Sequence, residues 1–364
     1  MTEVAGRVAS VGVGDVDPVS PTEVMASGGL SWQWLAGGVI ALTAAVFAGL
    51  TLGPAGIPAD AVLSDLVSRL PGVSAGSRLD ELETTILWEI RAPRVALGAL
   101  VGGMLALAGG SYQAVFHNPL ADPYLLGVAA GAGLGATIAI ASIGAGTAVL
   151  PVFAFVGAVL AVAAAYALGQ SVGVSSRASL VLAGVAVAAF LTAIQTFVLQ
   201  QNTDDIRAVY AWLLGRLATS GWSEVLAVIP YVAVSAAVIL AHRRILDVLR
   251  VGDEEATTLG VAVTRVRLLV VAAATLGTAA AVAVSGLIGF VGILVPHAIR
   301  LLAGGAYRVV LPLSALFGAA FLVIADIVAR TALAPAELPI GVVTARIGAP
   351  FFAVVLRTTR TAAP

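Results

Sequence analysis

H-R-R-I-L-D-V-L-R-V-G-D-E-E-A-T-T-L-G-V-A-V-T-R-V-R, from His242 to Arg267, is an island of charge in a chain that is otherwise apolar over most of its length. A charged side chain is costly at the centre of a bilayer. Arg243, Arg244, Asp247, Arg250, Asp253, Glu254, Glu255, Arg265 and Arg267 together therefore put this stretch in water. Apolar residues still recur at helical spacing: Ile245, Leu246, Leu249 and Val251 ahead of Gly252, and Leu259 ahead of Gly260. That pattern predicts two short amphipathic helices broken at Gly252. Such an element is either a coupling segment for a motor outside the membrane or a solvated loop between two membrane helices, and the pattern fits both.

Outward from this island, the 364 residues are 60% hydrophobic and 11% charged, against about 25% charged in soluble domains. The apolar runs are long and continuous, not short and alternating, so helices and not barrel strands should cross the bilayer. The expectation is an all-α polytopic membrane protein. Forty glycines suit close helix contacts in lipid. There is no cysteine, which excludes disulfides, thiolate catalysis and Cys-ligated metal. All 19 Lys+Arg positions are arginine, so the G-x-x-x-x-G-K-[ST] phosphate loop is absent and the chain is not by itself that kind of ATPase. A net charge of −1 implies no nucleic-acid partner.

Residues 1–31 show no sustained period and read as a disordered cytoplasmic tail that is not a signal peptide. A transmembrane domain follows over 32–358, with a short cytoplasmic tail at 359–364. Ten spans are expected, at about 32–52, 93–113, 121–142, 149–169, 178–200, 225–241, 266–284, 287–303, 309–330 and 339–356. Ten crossings put both termini on one side, and arginine is in excess there, so both ends are expected in the cytoplasm with the charged island, 243–265. Intervals 53–92 and 201–224 then face outward, the second with an amphipathic piece around Tyr210–Leu214.

Several short motifs interrupt the spans. Arg91-Ala92-Pro93-Arg94 should open the second span, with Pro93 in its first turn; its arginines either meet carboxylates of an external partner or snorkel at the interface. His117-Asn118-Pro119-Leu120-Ala121-Asp122-Pro123 forbids a continuous helix, and Asn118 and Asp122 can take up freed backbone donors. No second ligand is spaced for His117, so no metal site is expected. Gly286 to His297 reads as a Gly-studded helix bent at Pro296, with His297 in a packing role. Asp326 and Arg330, four apart, read as a neutralised pair, although an intramembrane acid also raises a proton relay. The last span opens at Pro339 and carries Arg346 in its middle, where it must face a cavity, water or a carboxylate.

Taken in order, N-P-L-A-D-P-Y-L-L-G-V-A-A-G-A-G (118–133), L-A-G-V-A (182–186), G-L-I-G-F-V-G-I-L-V-P-H (286–297), A-D-I-V-A-R (325–330) and E-L-P-I-G-V-V-T (337–344) resemble the FecCD/BtuC permeases. These are the membrane subunits of ABC importers for iron–siderophores, haem and vitamin B12, and the likeness covers about residues 85–358. It implies a homodimer with a pathway along its axis, two cytoplasmic ABC ATPase subunits that use ATP, and an extracytoplasmic substrate-binding protein. No cofactor is implied for this chain, nor any catalytic residue. By position, Arg91, Arg94 and Arg330 match outer arginines that meet the binding protein. The segment Leu246, Leu249, Gly252, Glu254, Leu259 and Gly260 matches the coupling helices. Ser175, Ser176 and Arg177 fall near a cytoplasmic gate. Asn118, Pro119, Pro123, Pro296 and Pro339 mark helix breaks. Arg346 departs from the family, where a small or apolar residue is usual, and it is read as bordering the path and favouring an anionic part of the cargo. Residues 204–215, D-D-I-R-A-V-Y-A-W-L-L-G, lean the cargo toward vitamin B12 over a siderophore or haem. Outside the family, a proton- or sodium-coupled transporter using Asp326 is the other reading. An intramembrane enzyme lacks a paired nucleophile and base or a metal-ligand cluster.

Overall fold

The computed structural model describes residues 30–69, 71, 76–144, 148–171, 177–218 and 221–361. The expected tail lies outside these up to residue 29, as do Ser175 and Ser176. The described residues form thirteen α-helices and no strand. Ser31 caps the first, α1 (Trp32–Thr51), its hydroxyl accepting the Gln33 N–H at 3.2 Å. The short α2 (Ala59–Ser68) lies at the end expected to face outward.

The next helix departs from expectation. It starts at Glu81 and not at Pro93, because Asp80 and Glu83 close a capping box, Asp80 Oδ1 taking the Glu83 N–H at 2.6 Å and Glu83 Oε2 the Asp80 N–H at 3.1 Å. The result is α3 (Glu81–Phe116), a 36-residue helix. Pro93 sits inside it. Proline has no N–H to offer the preceding turn and crowds it. The helix answers by widening to a π pattern over Ile86–Arg91, with the Ala92 N–H reaching back to the Leu87 carbonyl. It stops at His117, which takes a left-handed conformation, and Asn118 Oδ1 accepts the Leu120 N–H at 2.9 Å.

From there the chain runs through α4 (Val128–Ile143), α5 (Leu150–Ser171), α6 (Arg177–Gln201), the outer amphipathic α7 (Ile206–Leu213), α8 (Ser223–Val248), the six-residue α9 (Asp253–Thr258), α10 (Val263–Ser285), α11 (Val291–Ala303), α12 (Tyr307–Thr331) and α13 (Ile340–Thr361). The last continues past the boundary expected at 358. Among the described residues seven helices are long and apolar enough to cross a membrane: α1, α3, α5, α6, α8, α10 and α12. The expected ten are not met on length. Helices α4 and α11 and the apolar part of α13, Ile340–Val355, are shorter, and the 13 residues of α11 rise only about 20 Å, against a hydrocarbon core of about 30 Å.

Helix α3 is the hub. It packs on α12, α10, α11 and α8, and nearly all its residues from Ala92 onward are buried. Glycine sets the closest approaches. A Cβ on Gly109 would overlap the Gly292 backbone of α11, and one on Gly102 would overlap the Gly318 carbonyl of α12. A second layer, α4 on α5 on α6, meets through Gly131 and Gly157 in the same way.

The motif read as a continuous helix at 286–297 is helical only from Val291. Gly286 to Phe290 is unwound, with Gly286 at φ 68° and Phe290 at φ 69°. Apolar side chains kept the hydropathy of a helix while the backbone left it. Unwound backbone survives at membrane depth only where the protein satisfies it. Here the Tyr124 hydroxyl accepts the Ile288 N–H at 3.2 Å and donates to the Ile288 carbonyl at 3.1 Å. The Gln113 amide donates to the Gly292 carbonyl at 3.0 Å. Arg216 N–H bonds the Ser285 carbonyl at 2.7 Å, and Gly341 N–H bonds the Leu214 carbonyl at 3.0 Å, tying the ends of α7, α10 and α13 into one outer knot.

Candidate functional site

Three places carry the chemistry: an ionic cluster at the end expected to face outward, an elbow at the opposite end, and an open face between them.

The outer cluster is built on α3, α12 and the loop before α13. Arg94 is its centre. Its Nε donates to both Asp326 oxygens at 3.0 Å, and Nη1 and Nη2 reach Glu337 at 2.8 and 3.0 Å. The planar guanidinium matches two carboxylates at once, a geometry lysine does not offer. Hydrogen bonds from Arg94 hold the Glu337 carboxyl below its ordinary range, against the upward push of burial. Arg330 is the lesser partner of Asp326, at 3.6 Å, and donates instead to the Gly49 carbonyl at 2.6 Å. Arg91 spans to α1, its Nη1 donating to the Leu50 and Thr51 carbonyls at 2.8 and 2.7 Å and its Nη2 to Ala55.

This corrects two expectations. The Asp326–Arg330 pair is a larger cluster governed by Arg94. The arginines expected to reach outward are also internal: Arg91 and Arg330 are 4% and 3% exposed, and their forks are spent on carbonyls at the end of α1.

Beside the cluster, α2 is pinned by Asp65. Burial pushes this carboxyl up, but hydrogen bonds from Trp88, Ser77 and Arg69 outweigh it and hold it below its ordinary value. Trp88 Nε1 donates to it at 2.8 Å and Arg69 Nε at 3.0 Å.

At the other end, α8 runs out of the apolar region and ends in a short 3-10 turn, Leu249–Val251. Gly252, at φ 129°, breaks the chain where expected, and Gly260, at φ 83°, turns it into α10. The elbow is braced from within. Arg267 pairs with Asp253 at 2.9 Å. Asp247 accepts the Tyr307 and Arg308 N–H groups at 2.5 and 3.2 Å, capping α12. Leu246 and Leu249, expected to meet an ATPase, are fully buried in the chain's own core. The amphipathic pattern marked an apolar face that this chain covers itself. What the elbow exposes is Glu254, Glu255, Thr257, Thr258, Leu259 and Gly260, with Leu259 69% exposed.

Between the ends, α6 is the least covered long helix. Along it Leu182, Val185, Ala186, Ala189, Ala193 and Thr196 are exposed at helical spacing. A cleft of about 630 Å³ opens between α6, Asp122 and the unwound Gly289–Phe290. Arg346 is exposed in the middle of α13, and Gly348 two residues on lets that helix close against the Phe290 ring. Only the backbone of Arg177 is described, at the start of α6. Pro119 and Pro123 lie in the break between α3 and α4, Pro339 immediately precedes α13, and Pro296 is inside α11. Among the described residues no group of His, Asp and Glu could hold a metal ion. Sequence reasoning missed Glu337 as a partner of Arg94 and Tyr124 as the support of residues 286–290; only the E-L-P motif around Glu337 had pointed to that neighbourhood.

A family model described as the FecCD transport family matches residues 41–358. The cobalamin import system permease protein BtuC of Halobacterium salinarum is 46% identical over 277 residues, 76% of this chain and 74% of that protein. The Fe(3+)-citrate import system permease protein YfmD of Bacillus subtilis is 38% identical over 299 residues, 79% of this chain and 89% of that one. A solved structure described as an inward-facing conformation of an ABC transporter of the metal-chelate type superposes with a TM-score of 0.77 at 28% identity, covering 90% of this chain and all of that one.

Proposed function

The chain belongs to the FecCD transport family, as a membrane permease subunit of a metal-chelate ABC importer, and from that premise we propose that it moves vitamin B12 through a path shared by two copies. The observation that carries the path is Arg346. It is exposed in mid-helix, and a guanidinium there is not compatible with lipid. The neighbouring α6 face is small and only mildly polar. Both faces are accounted for if a second copy and a water-filled path cover them. In the dimer α4, α11 and α13 complete ten crossings per chain, tilted or thinning the bilayer locally where they are short.

ATP is hydrolysed on two separate subunits in the cytoplasm, which meet the exposed ridge from Glu254 to Gly260. Both termini lie on that side, and an external binding protein delivers the cargo to the end that carries Glu337. Docking through Arg94 requires displacement of Glu337, the more exposed of its two partners at 45% against 4% for Asp326. Vitamin B12 is favoured by the higher identity to the cobalamin permease. An iron(III) chelate is the second reading, supported by the iron-citrate relative. A proton-coupled carrier is disfavoured because Asp326 is held by two arginines and is not free to cycle a proton.

Uptake in proteoliposomes holding the full assembly tests the reading: ATP-dependent accumulation of cobalamin over ferric siderophore supports it, and the reverse preference replaces it with the iron reading. Uptake that persists without ATPase subunits and collapses with an uncoupler would sink the importer assignment. A cysteine at exposed Thr257 should cross-link to the ATPase. Arg346→Ala should change transport kinetics or selectivity, and unchanged values remove it from the path.

A further inference from the structure

We propose that the elbow end of the molecule holds a site for the phosphate of an anionic phospholipid, formed by His297 and Arg300 of α11, Arg250 at the end of α8 and Tyr307 at the start of α12. The observation is a set of buried polar nitrogens without partners. Both ring nitrogens of His297, and Nε and Nη2 of Arg300, are buried and have no hydrogen-bond partner. Buried polar groups are nearly always satisfied, and these four lie on consecutive turns of one helix face.

The surroundings supply positive charge and little to balance it. Arg250 lies over the Tyr307 ring at 6.0 Å, and Arg250, Arg300 and Tyr307 are within electrostatic range of one another. The carboxylate in this neighbourhood, Asp247, is engaged at the α12 N-terminus and with Arg308. A phosphate offers several anionic acceptors at once, and guanidinium groups recognise it through paired N–H donors.

Two features favour a lipid over a soluble oxyanion. Leu301 and Leu302, beside Arg300, are 67% and 66% exposed, so acyl chains can lie against the same end of α11. That helix is also short, and its last turn with Arg300 falls where headgroups lie once its apolar part is in the core. Placing the site in the cytoplasmic leaflet rests on the orientation proposed above; the binding itself does not.

The test is lipid retention by the full-length chain, purified from nanodiscs of phosphatidylcholine with one-fifth phosphatidylglycerol and read by native mass spectrometry. The wild type should retain phosphatidylglycerol in preference to phosphatidylcholine, and Arg300→Gln or Arg250→Gln should lower that preference about fivefold each. Arg244→Gln, exposed on α8, should leave it unchanged. Equal retention of the two lipids by the wild type overturns the proposal without any variant having to fold. An undiminished preference in both glutamine variants also overturns it. Stabilisation by inorganic phosphate in pure phosphatidylcholine, with no lipid preference, assigns the cluster to a soluble oxyanion instead. Variants that keep the lipid but lose the response of added ATPase subunits assign it to a protein carboxylate. Retention is read without transport, so failure here is distinct from failure of the importer assignment.

Discussion

The two ends of the molecule use charge in opposite ways. At the outer end Arg91, Arg94, Arg330 and Asp326 are withdrawn from solvent and bonded to one another or to carbonyls, with Glu337 half out. At the elbow Glu254 and Glu255 of α9 are exposed, and the ion pair that braces them is Arg267–Asp253. Buried charge is tolerated only with complete partners, and then it fixes geometry. Exposed charge adds little to stability and is available to something else. The outer end is accordingly a clasp that joins α1, α3, α12 and the loop before α13, and the elbow is the proposed contact surface.

The comparison is most sharply broken at Asp326. Asp326→Ala strands Arg94 and Arg330 in a low-dielectric site, and we expect a loss of about 3–5 kcal/mol, read as a fall in the thermal midpoint in nanodiscs. If Asp326→Asn instead kept full stability and abolished uptake, the acid would be a proton carrier and the clasp would be the wrong description. Next in size is Gly109→Ala. The two ends are joined through α3, and a methyl here meets the Gly292 backbone. The expected cost is about 1–3 kcal/mol, with α3 and α11 forced apart; a neutral outcome in the same melting assay would mean that these helices are not in contact.

The sequence showed the apolar helices and the charged island, because both are properties of composition along one stretch. It did not show the clasp. Arg330 is four residues from Asp326 and was legible as its partner, whereas Arg94 is 232 residues away and dominates. Helical spacing located the apolar face of the elbow but not what covers it, so Leu246 and Leu249 read as a docking surface and are core. At 286–290 hydropathy is blind: Gly, Leu, Ile, Gly and Phe suit a helix and an unwound strand of backbone equally. The support comes from Tyr124, whose position in N-P-L-A-D-P-Y carries no mark of that role. Pro93 is the visible sign of the π turn, but it suits a helix start equally well, and the capping residues Asp80 and Glu83 lie thirteen and ten residues upstream.

Glu337 tests the boundary of the clasp, since it is the member most open to water. Its folded carboxyl is held below the ordinary value by Arg94. A group depressed on folding adds stability above its unfolded pKa of about 4.3 and loses it as pH falls through the folded value. Glu337→Gln should cost about 1 kcal/mol or less at neutral pH, given its exposure. The variant and the wild type should converge in acid, once the pH is below the lowered pKa of the folded carboxyl. A difference that persists unchanged there would show that the carboxylate charge is not the source.

The smallest effect on stability, and the most informative about function, belongs to Leu259. It is 69% exposed on the elbow, contributes little buried area to this chain, and sits between a helix of six residues and a glycine turn. Leu259→Asp should leave the melting midpoint within the range of surface substitutions, about 0.5 kcal/mol either way. A partner that buries this leucine loses a good part of about 2 kcal/mol of apolar contact and gains an unpaired charge. ATP-driven uptake should therefore fall while the fold is intact. The opposite result, a destabilised chain that still transports at the wild-type rate, would mean that the elbow is built for its own packing and that the contrast between the two ends is only one of solvent.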